Sequence, residues 1–99
     1  MTVAEKLQIL EESYFDGKEF VLVLDKLLDS ALSEHRLRLV RYNRELLEFE
    51  HRFGLDSATF YARFEKGDVD DAMDYFEWTG LYELKQDLLE KIHKLEMTQ

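Results

Sequence analysis

The sequence contains no cysteine and no proline, and only four of its 99 residues are glycine. The absence of cysteine excludes disulfides, thiolate metal sites and cysteine nucleophiles. Sheets and sandwiches need frequent turns, and turns draw on glycine and proline. Their scarcity therefore favours a few long helices over a sheet, and the length fits a single domain over residues 1–99.

Long hydrophobic runs are also missing. The longest, Phe20 to Leu24, is much shorter than the roughly 20 apolar residues that span a membrane. The N-terminus has no basic segment followed by an apolar stretch, as a secretory signal would have. We therefore expect no contact with membranes and a cytoplasmic location.

Charge of one sign dominates the composition. Asp and Glu number 22 against 13 Lys and Arg, which gives a formal net charge of −9. Such a charge repels nucleic acids and anionic membranes, and it attracts a basic partner. The alternative is that the charge only keeps the protein soluble.

Four segments of the chain have apolar residues at helical spacing. Gly54 and Gly67 end the second and third segments, and Asp56 or Ser57 is a suitable N-terminal cap for the third. The pattern predicts an N-terminal helix and turn over 1–17, a long helix over 18–53, a short helix over 56–66 and a C-terminal helix over 70–96.

The first 24 residues allow two interpretations. Helical spacing of apolar residues over 3–14 indicates a helix that ends at Asp16-Gly17. The alternative is a β-hairpin that turns at Asp16-Gly17 and returns through Phe20–Leu24.

The long helix has two apolar stripes. The first follows a heptad pattern and includes His35 as a packed residue. Leu37, Val40 and Leu47 form a second stripe, well away from the first. Because a helix with two apolar stripes needs two neighbours, we expect the second stripe to be a homodimer interface. The first stripe comprises Leu28, Leu32, His35, Leu39, Tyr42, Leu46, Phe49 and Phe53.

These segments together predict an all-α fold. The two long helices form an antiparallel hairpin, the short helix lies at its turn, and the N-terminal helix lies across its open end. A second copy of the hairpin would complete a helix bundle.

Two Glu-x-x-His elements, Glu48 with His51 and Glu90 with His93, match the ligand pattern of di-iron helix bundles. His51 points away from the heptad stripe, and an antiparallel hairpin places the two elements near opposite ends. They cannot share one site within a monomer. We therefore expect no metal, no cofactor and no catalytic residue.

A second acidic pattern is Glu45-x-x-Glu48 followed by Asp71-x-x-Asp74. It resembles the Glu-x-x-Glu…Glu-x-x-Asp arrangement of the all-helical nucleotide pyrophosphatases of the dUTPase and MazG type. The resemblance implies four carboxylates that hold Mg²⁺ against a triphosphate. A Mg²⁺-dependent pyrophosphatase is therefore an alternative function, and the sequence leaves open whether these four residues bind Mg²⁺.

The one basic stretch of the chain runs from His35 to Arg44. Arg38, Arg41 and Arg44 form a stripe on the outer face of the long helix. Each has a glutamate four residues away, so intrahelical ion pairs explain these arginines and we expect no binding of nucleic acid.

Seven of the 13 aromatic residues lie between Phe60 and Tyr82, among many acidic residues. Aromatic side chains anchor protein interfaces, and acidic ones steer a basic partner towards them. In the alternative interpretation they fill the end of the bundle, and we assign Phe60, Phe64 and Phe76 to that core. The predicted partner-binding residues are Asp68, Asp70, Asp71, Asp74, Tyr75, Glu77, Trp78 and Tyr82.

Two stretches of the chain resemble a known family. They are Phe60-Tyr61-x-x-Phe64-Glu65-x-Gly67-Asp68 and Asp74-x-Phe76-Glu77-Trp78-x-x-Leu81-Tyr82. They resemble the C-terminal half of small helical prokaryotic proteins, treated as antitoxin-like, that are often encoded beside a putative nuclease toxin. The resemblance covers roughly residues 24–95. It implies a non-enzymatic module that neutralises or scaffolds a basic partner protein by direct contact. A purely structural helical dimer is the third possibility.

Overall fold

The computed structural model describes all 99 residues and contains four helices and no strand. The all-helical fold predicted from the sequence is thereby confirmed, and the first 24 residues form helices rather than a β-hairpin. No helix combines the length and apolar character that crossing a lipid bilayer would require. The helices are α1 (Val3–Glu12), α2 (Gly17–Phe53), α3 (Ser57–Glu65) and α4 (Met73–Glu96).

The turn between α2 and α3 forms where the sequence predicts it. Gly54 has a left-handed backbone with φ of 66°, which glycine adopts without strain, and its N–H donates to the Glu50 carbonyl at 2.8 Å. The Asp56 carboxylate then accepts bonds from the backbone N–H of Thr59 at 2.9 Å and from its hydroxyl at 2.7 Å. These bonds satisfy free donors at the start of α3.

Acid should weaken this cap. The bonds from Thr59 hold the pKa of Asp56 below its usual value, so the cap stabilises the fold above about pH 4, the ordinary range of Asp. That stabilisation is lost as the pH falls through the lowered pKa. We expect Asp56→Asn, which keeps an acceptor without the charge, to lose less stability than the parent between pH 7 and pH 3. Urea denaturation at both pH values measures this, and an equal loss in the two proteins would contradict it.

The hydrophobic core has two clusters along the contact between α2 and α4. Leu46, Phe60, Trp78 and Leu81 form the larger one, at the closed end of the hairpin. The second cluster lies towards the open end and consists of Leu32, Leu88 and Ile92. Every residue of the predicted heptad stripe on α2 is buried or half-buried, which confirms the stripe as the surface that packs on α4.

The two long helices run antiparallel, as predicted. Arg52 and Asp74 form an ion pair of 2.7 Å near the closed end, and Arg36 and Glu96 form one of 3.5 Å near the open end. Beyond Glu96 the chain ends opposite α2 at Asp29, whose carboxylate accepts a bond from the Gln99 side chain at 3.0 Å. The first three turns of α2 therefore extend past the end of α4.

The position predicted for the N-terminal helix is wrong. α1 contacts the start of α2 and makes no contact with α4, so it does not cross the open end of the hairpin. None of its residues is buried, and its junction with α2 is held by the rings of Tyr14 and Phe20, 5.8 Å apart. The extension of α2 beyond α4 is the reason, because it carries α1 away from the hairpin.

The C-terminal helix begins three residues later than predicted, at Met73 instead of residue 70. Asp70 accepts a bond from the N–H of Ala72 at 3.2 Å through its side chain. Such a local bond competes with helix formation, and residues 68–72 form a loop for this reason.

Candidate protein-binding surface

The structure divides the eight predicted partner-binding residues into three groups. Asp68, Asp70, Asp71 and Glu77 are exposed at the start of α4 and in the loop before it. Tyr75 and Tyr82 are half-buried against other aromatic rings. Trp78 and Asp74 have roles within the fold, described below.

Trp78 is completely buried and is a core residue, so its assignment to the binding surface is wrong. Its ring stacks on Phe60 with centroids 3.8 Å apart and planes 3° apart. Phe49 and Phe53 stack beside it at 5.7 and 5.6 Å. The indole N–H donates to the buried Ser57 hydroxyl at 2.9 Å. We call Phe49, Phe53, Phe60 and Trp78 the aromatic box.

The two tyrosines belong mainly to the packing around the box. Tyr75 lies against Phe53 and Phe60, with both centroid distances 5.3 Å. Tyr82 lies against Tyr61 at 4.8 Å. Only part of either ring is accessible, which makes both poor anchors for a partner.

The exposed apolar residues of this region are Met73 and Phe76, which are 72% and 51% exposed. The assignment of Phe76 to the core is therefore wrong. Its ring stands edge-on to the half-buried Phe64, with centroids 5.5 Å apart. Met73 lies one helical turn before Phe76, so the two are neighbours on the surface of α4. We call Asp68, Asp70, Asp71, Met73, Phe76 and Glu77 the α4 N-terminal surface.

The charge of this surface is unbalanced. None of its four carboxylates forms an ion pair, whereas the nearby Asp74 is paired with Arg52. The acidic character continues on the neighbouring faces of α3 and α4, where the Tyr61 hydroxyl donates to Glu83 at 2.9 Å. Glu83, and then Glu65, raise the pKa of Tyr61 well above its usual value, because ionisation would break these bonds and add a further negative charge.

The four carboxylates of the pyrophosphatase pattern have different surroundings. Asp74 is held by Arg52 at 2.7 Å. Glu45 and Glu48 line a shallow groove between α2 and α4 opposite Glu77, and Asp71 is not part of that groove. No three His, Cys, Asp or Glu side chains are grouped closely enough to hold a metal ion.

The second apolar stripe of α2 is largely uncovered by the rest of the chain. Leu37, Val40 and Leu47 are all more than half exposed, as expected for a second stripe. The intrahelical ion pairs predicted for Arg38, Arg41 and Arg44 are absent, because the only ion pairs are Arg36–Glu96 and Arg52–Asp74. Exposed pairs of this kind contribute a net of only about 0.3–0.5 kcal/mol, because ordering two long side chains offsets most of their attraction.

Position in the fold explains why the sequence identified the acids of the α4 N-terminal surface but not its apolar residues. Phe76 and Trp78 are only two residues apart. Rings from α2 and α3 enclose Trp78, whereas Phe76 touches α3 only at Phe64 and stays half exposed. No periodicity within α4 shows which of its faces α3 covers. Comparisons with protein-family models, with curated proteins and with solved structures found no match to this chain.

Proposed function

We propose that this chain is an antitoxin-like protein-binding module that acts in the cytoplasm as a homodimer. Its α4 N-terminal surface holds a basic partner protein by direct contact, and so neutralises or scaffolds it. The observation that supports the proposal is the exposure of two large apolar side chains, Met73 and Phe76, beside unpaired carboxylates.

The two kinds of residue have different tasks in such a contact. An aromatic side chain that enters a pocket of the partner typically contributes about 2 kcal/mol or more to binding. Carboxylates at the rim mainly accelerate association by steering a positive partner, and salt screens this effect. The partner therefore has an apolar pocket surrounded by lysine or arginine.

The support beneath this surface suits a binding role. Phe76 rests on Phe64, which in turn lies against the buried Phe60 at 6.0 Å. Side chains already held in place lose little entropy when a partner binds.

Replacing Phe76 by alanine should raise the dissociation constant of the complex about 30-fold, which corresponds to about 2 kcal/mol. The partner to test is a basic protein encoded by a neighbouring gene, purified separately and mixed with this chain. Asp70→Lys together with Asp71→Lys should slow association and reduce its salt dependence, with less effect on dissociation. Surface plasmon resonance at two salt concentrations separates the two effects.

Leu84→Ala is the matched control, because Leu84 is as exposed as Phe76 but lies two turns further along α4. The control should bind like the parent. Equal affinity of the parent, the Phe76 variant and the charge-reversed variant, with unchanged circular dichroism spectra, would show that the partner does not bind at this surface.

A further inference from the structure

The charges on the outer face of α2 are self-complementary about Asn43. Arg41 lies two residues before Asn43 and Glu45 lies two residues after it. Arg38 and Glu48 lie five residues before and after it. A third pair, Glu34 and Arg52, is nine residues away on either side. In each pair the two signs are opposite.

These residues share one side of the helix. At about 100° per residue, all six fall within roughly 80° of the circumference. This band lies between the second apolar stripe and the contact with α4, because Glu45 and Glu48 also line the groove between α2 and α4. All are exposed. The four nearest to Asn43 have no ion-pair partner in the chain, whereas Arg52 already binds Asp74. Next to this charged band lie the exposed Leu37, Val40 and Leu47.

A two-fold axis turns this pattern into contacts. When two copies of one helix pair antiparallel, a residue before the axis faces the residue equally far after it on the other copy. The same flank of each helix then lines one edge of the contact. With the axis at Asn43, Arg38 faces Glu48 of the second copy, and Arg41 faces Glu45. Val40 and Leu47 lie almost equally far from Asn43 and meet across the same contact.

We propose that α2 pairs antiparallel with α2 of a second copy of this chain, around a two-fold axis at Asn43. Two kinds of ion pair, Arg38–Glu48 and Arg41–Glu45, each formed twice, set the register, and Leu37, Val40 and Leu47 are buried between the helices. A second copy is the occupant because the charge pattern complements itself. The inference gives the homodimer its geometry and does not depend on the α4 N-terminal surface.

Arg44 identifies the position of the axis. It lies one residue from Asn43, so its two copies come close together and are the one like-charged contact near the axis. Arg44→Gln should therefore tighten the dimer several-fold. An unchanged or larger dissociation constant would overturn this register.

The main test uses two chains of opposite charge. The acidic chain carries Arg38→Glu and Arg41→Glu, and the basic chain carries Glu45→Arg and Glu48→Arg. A homodimer of either chain would contain four like-charged pairs in place of the four ion pairs, so its dissociation constant should be at least about tenfold larger than that of the parent. An equimolar mixture should form a heterodimer with an affinity close to that of the parent. Sedimentation velocity, with one chain fused to a larger domain, distinguishes heterodimer from homodimers.

A third chain carries all four substitutions and controls for effects on the fold. It reverses the charge of both members of each ion pair, so the pairs can form again and the chain should self-associate like the parent. Because it carries every substitution of the two test chains, it also shows whether those substitutions disturb the fold. A parent that is monomeric at micromolar concentration would overturn the proposal. A mixture that fails to associate, or a folded four-substitution chain that stays monomeric, would overturn it as well.

Discussion

Replacing Trp78 by alanine is expected to lower the free energy of unfolding by about 3–5 kcal/mol. Trp78 is the most buried side chain of the protein, and three aromatic rings stack against it. The substitution removes these contacts and leaves a cavity that the rigid helices around it cannot close. Chemical denaturation followed by circular dichroism at 222 nm, at one fixed protein concentration, measures the loss.

Two further variants separate packing from hydrogen bonding in the aromatic box. Ser57→Ala leaves the Trp78 ring in place but removes the acceptor of its buried N–H, which should cost about 1–3 kcal/mol. Phe76→Ala, in the half-exposed position two residues before Trp78, should cost only about 1 kcal/mol, because it removes the single edge-on contact with Phe64. A loss for Trp78→Ala as small as that for Phe76→Ala would mean that α3 does not cover Trp78.

The second cluster should respond nearly as strongly. Leu32 is 3% exposed and packs with Leu88 and Ile92, so Leu32→Ala is expected to lower the free energy of unfolding by about 2–5 kcal/mol. Leu27 is a matched control on the same helix, because it is 60% exposed and lies in the part of α2 beyond α4. The same denaturation experiment on Leu27→Ala should show a change within about 0.5 kcal/mol.

The comparison of the two leucines tests where the hairpin ends. Similar losses at both positions would mean that the N-terminal turns of α2 are covered. Dimer formation adds concentration-dependent stability to both variants, so the difference between them is the informative quantity.

Local signals in the sequence predicted most of the fold. The heptad stripe of α2 predicted its buried face from Leu28 to Phe53, because a long regular helix presents the same side throughout. Gly54 and Asp56 predicted the turn because a left-handed residue and a capping carboxylate act over only a few residues. These features need no knowledge of the rest of the chain.

Features that depend on tertiary contacts could not be predicted from the sequence. Trp78 and Phe76 exchanged their predicted roles because α2 and α3 together enclose Trp78. The periodicity of α4 does not indicate the direction from which α3 packs. The position of α1 depends on how many turns of α2 extend beyond the end of α4. The sequence pattern of either helix alone does not show this difference in length. The start of α4 depended on the competing bond from the Ala72 N–H to the Asp70 carboxylate.

The short connection between α2 and α4 has a consequence for the order in which the hairpin forms. Only residues 54–72 separate the two helices, and the entropy lost on closing a loop grows with its length. Contacts beside the turn close the smallest loop, and the aromatic box lies there. We therefore expect the box to form early in folding and the hairpin to close from it towards Leu32 and Ile92. Substitutions in the box would then mainly slow folding, whereas those in the second cluster would mainly speed unfolding.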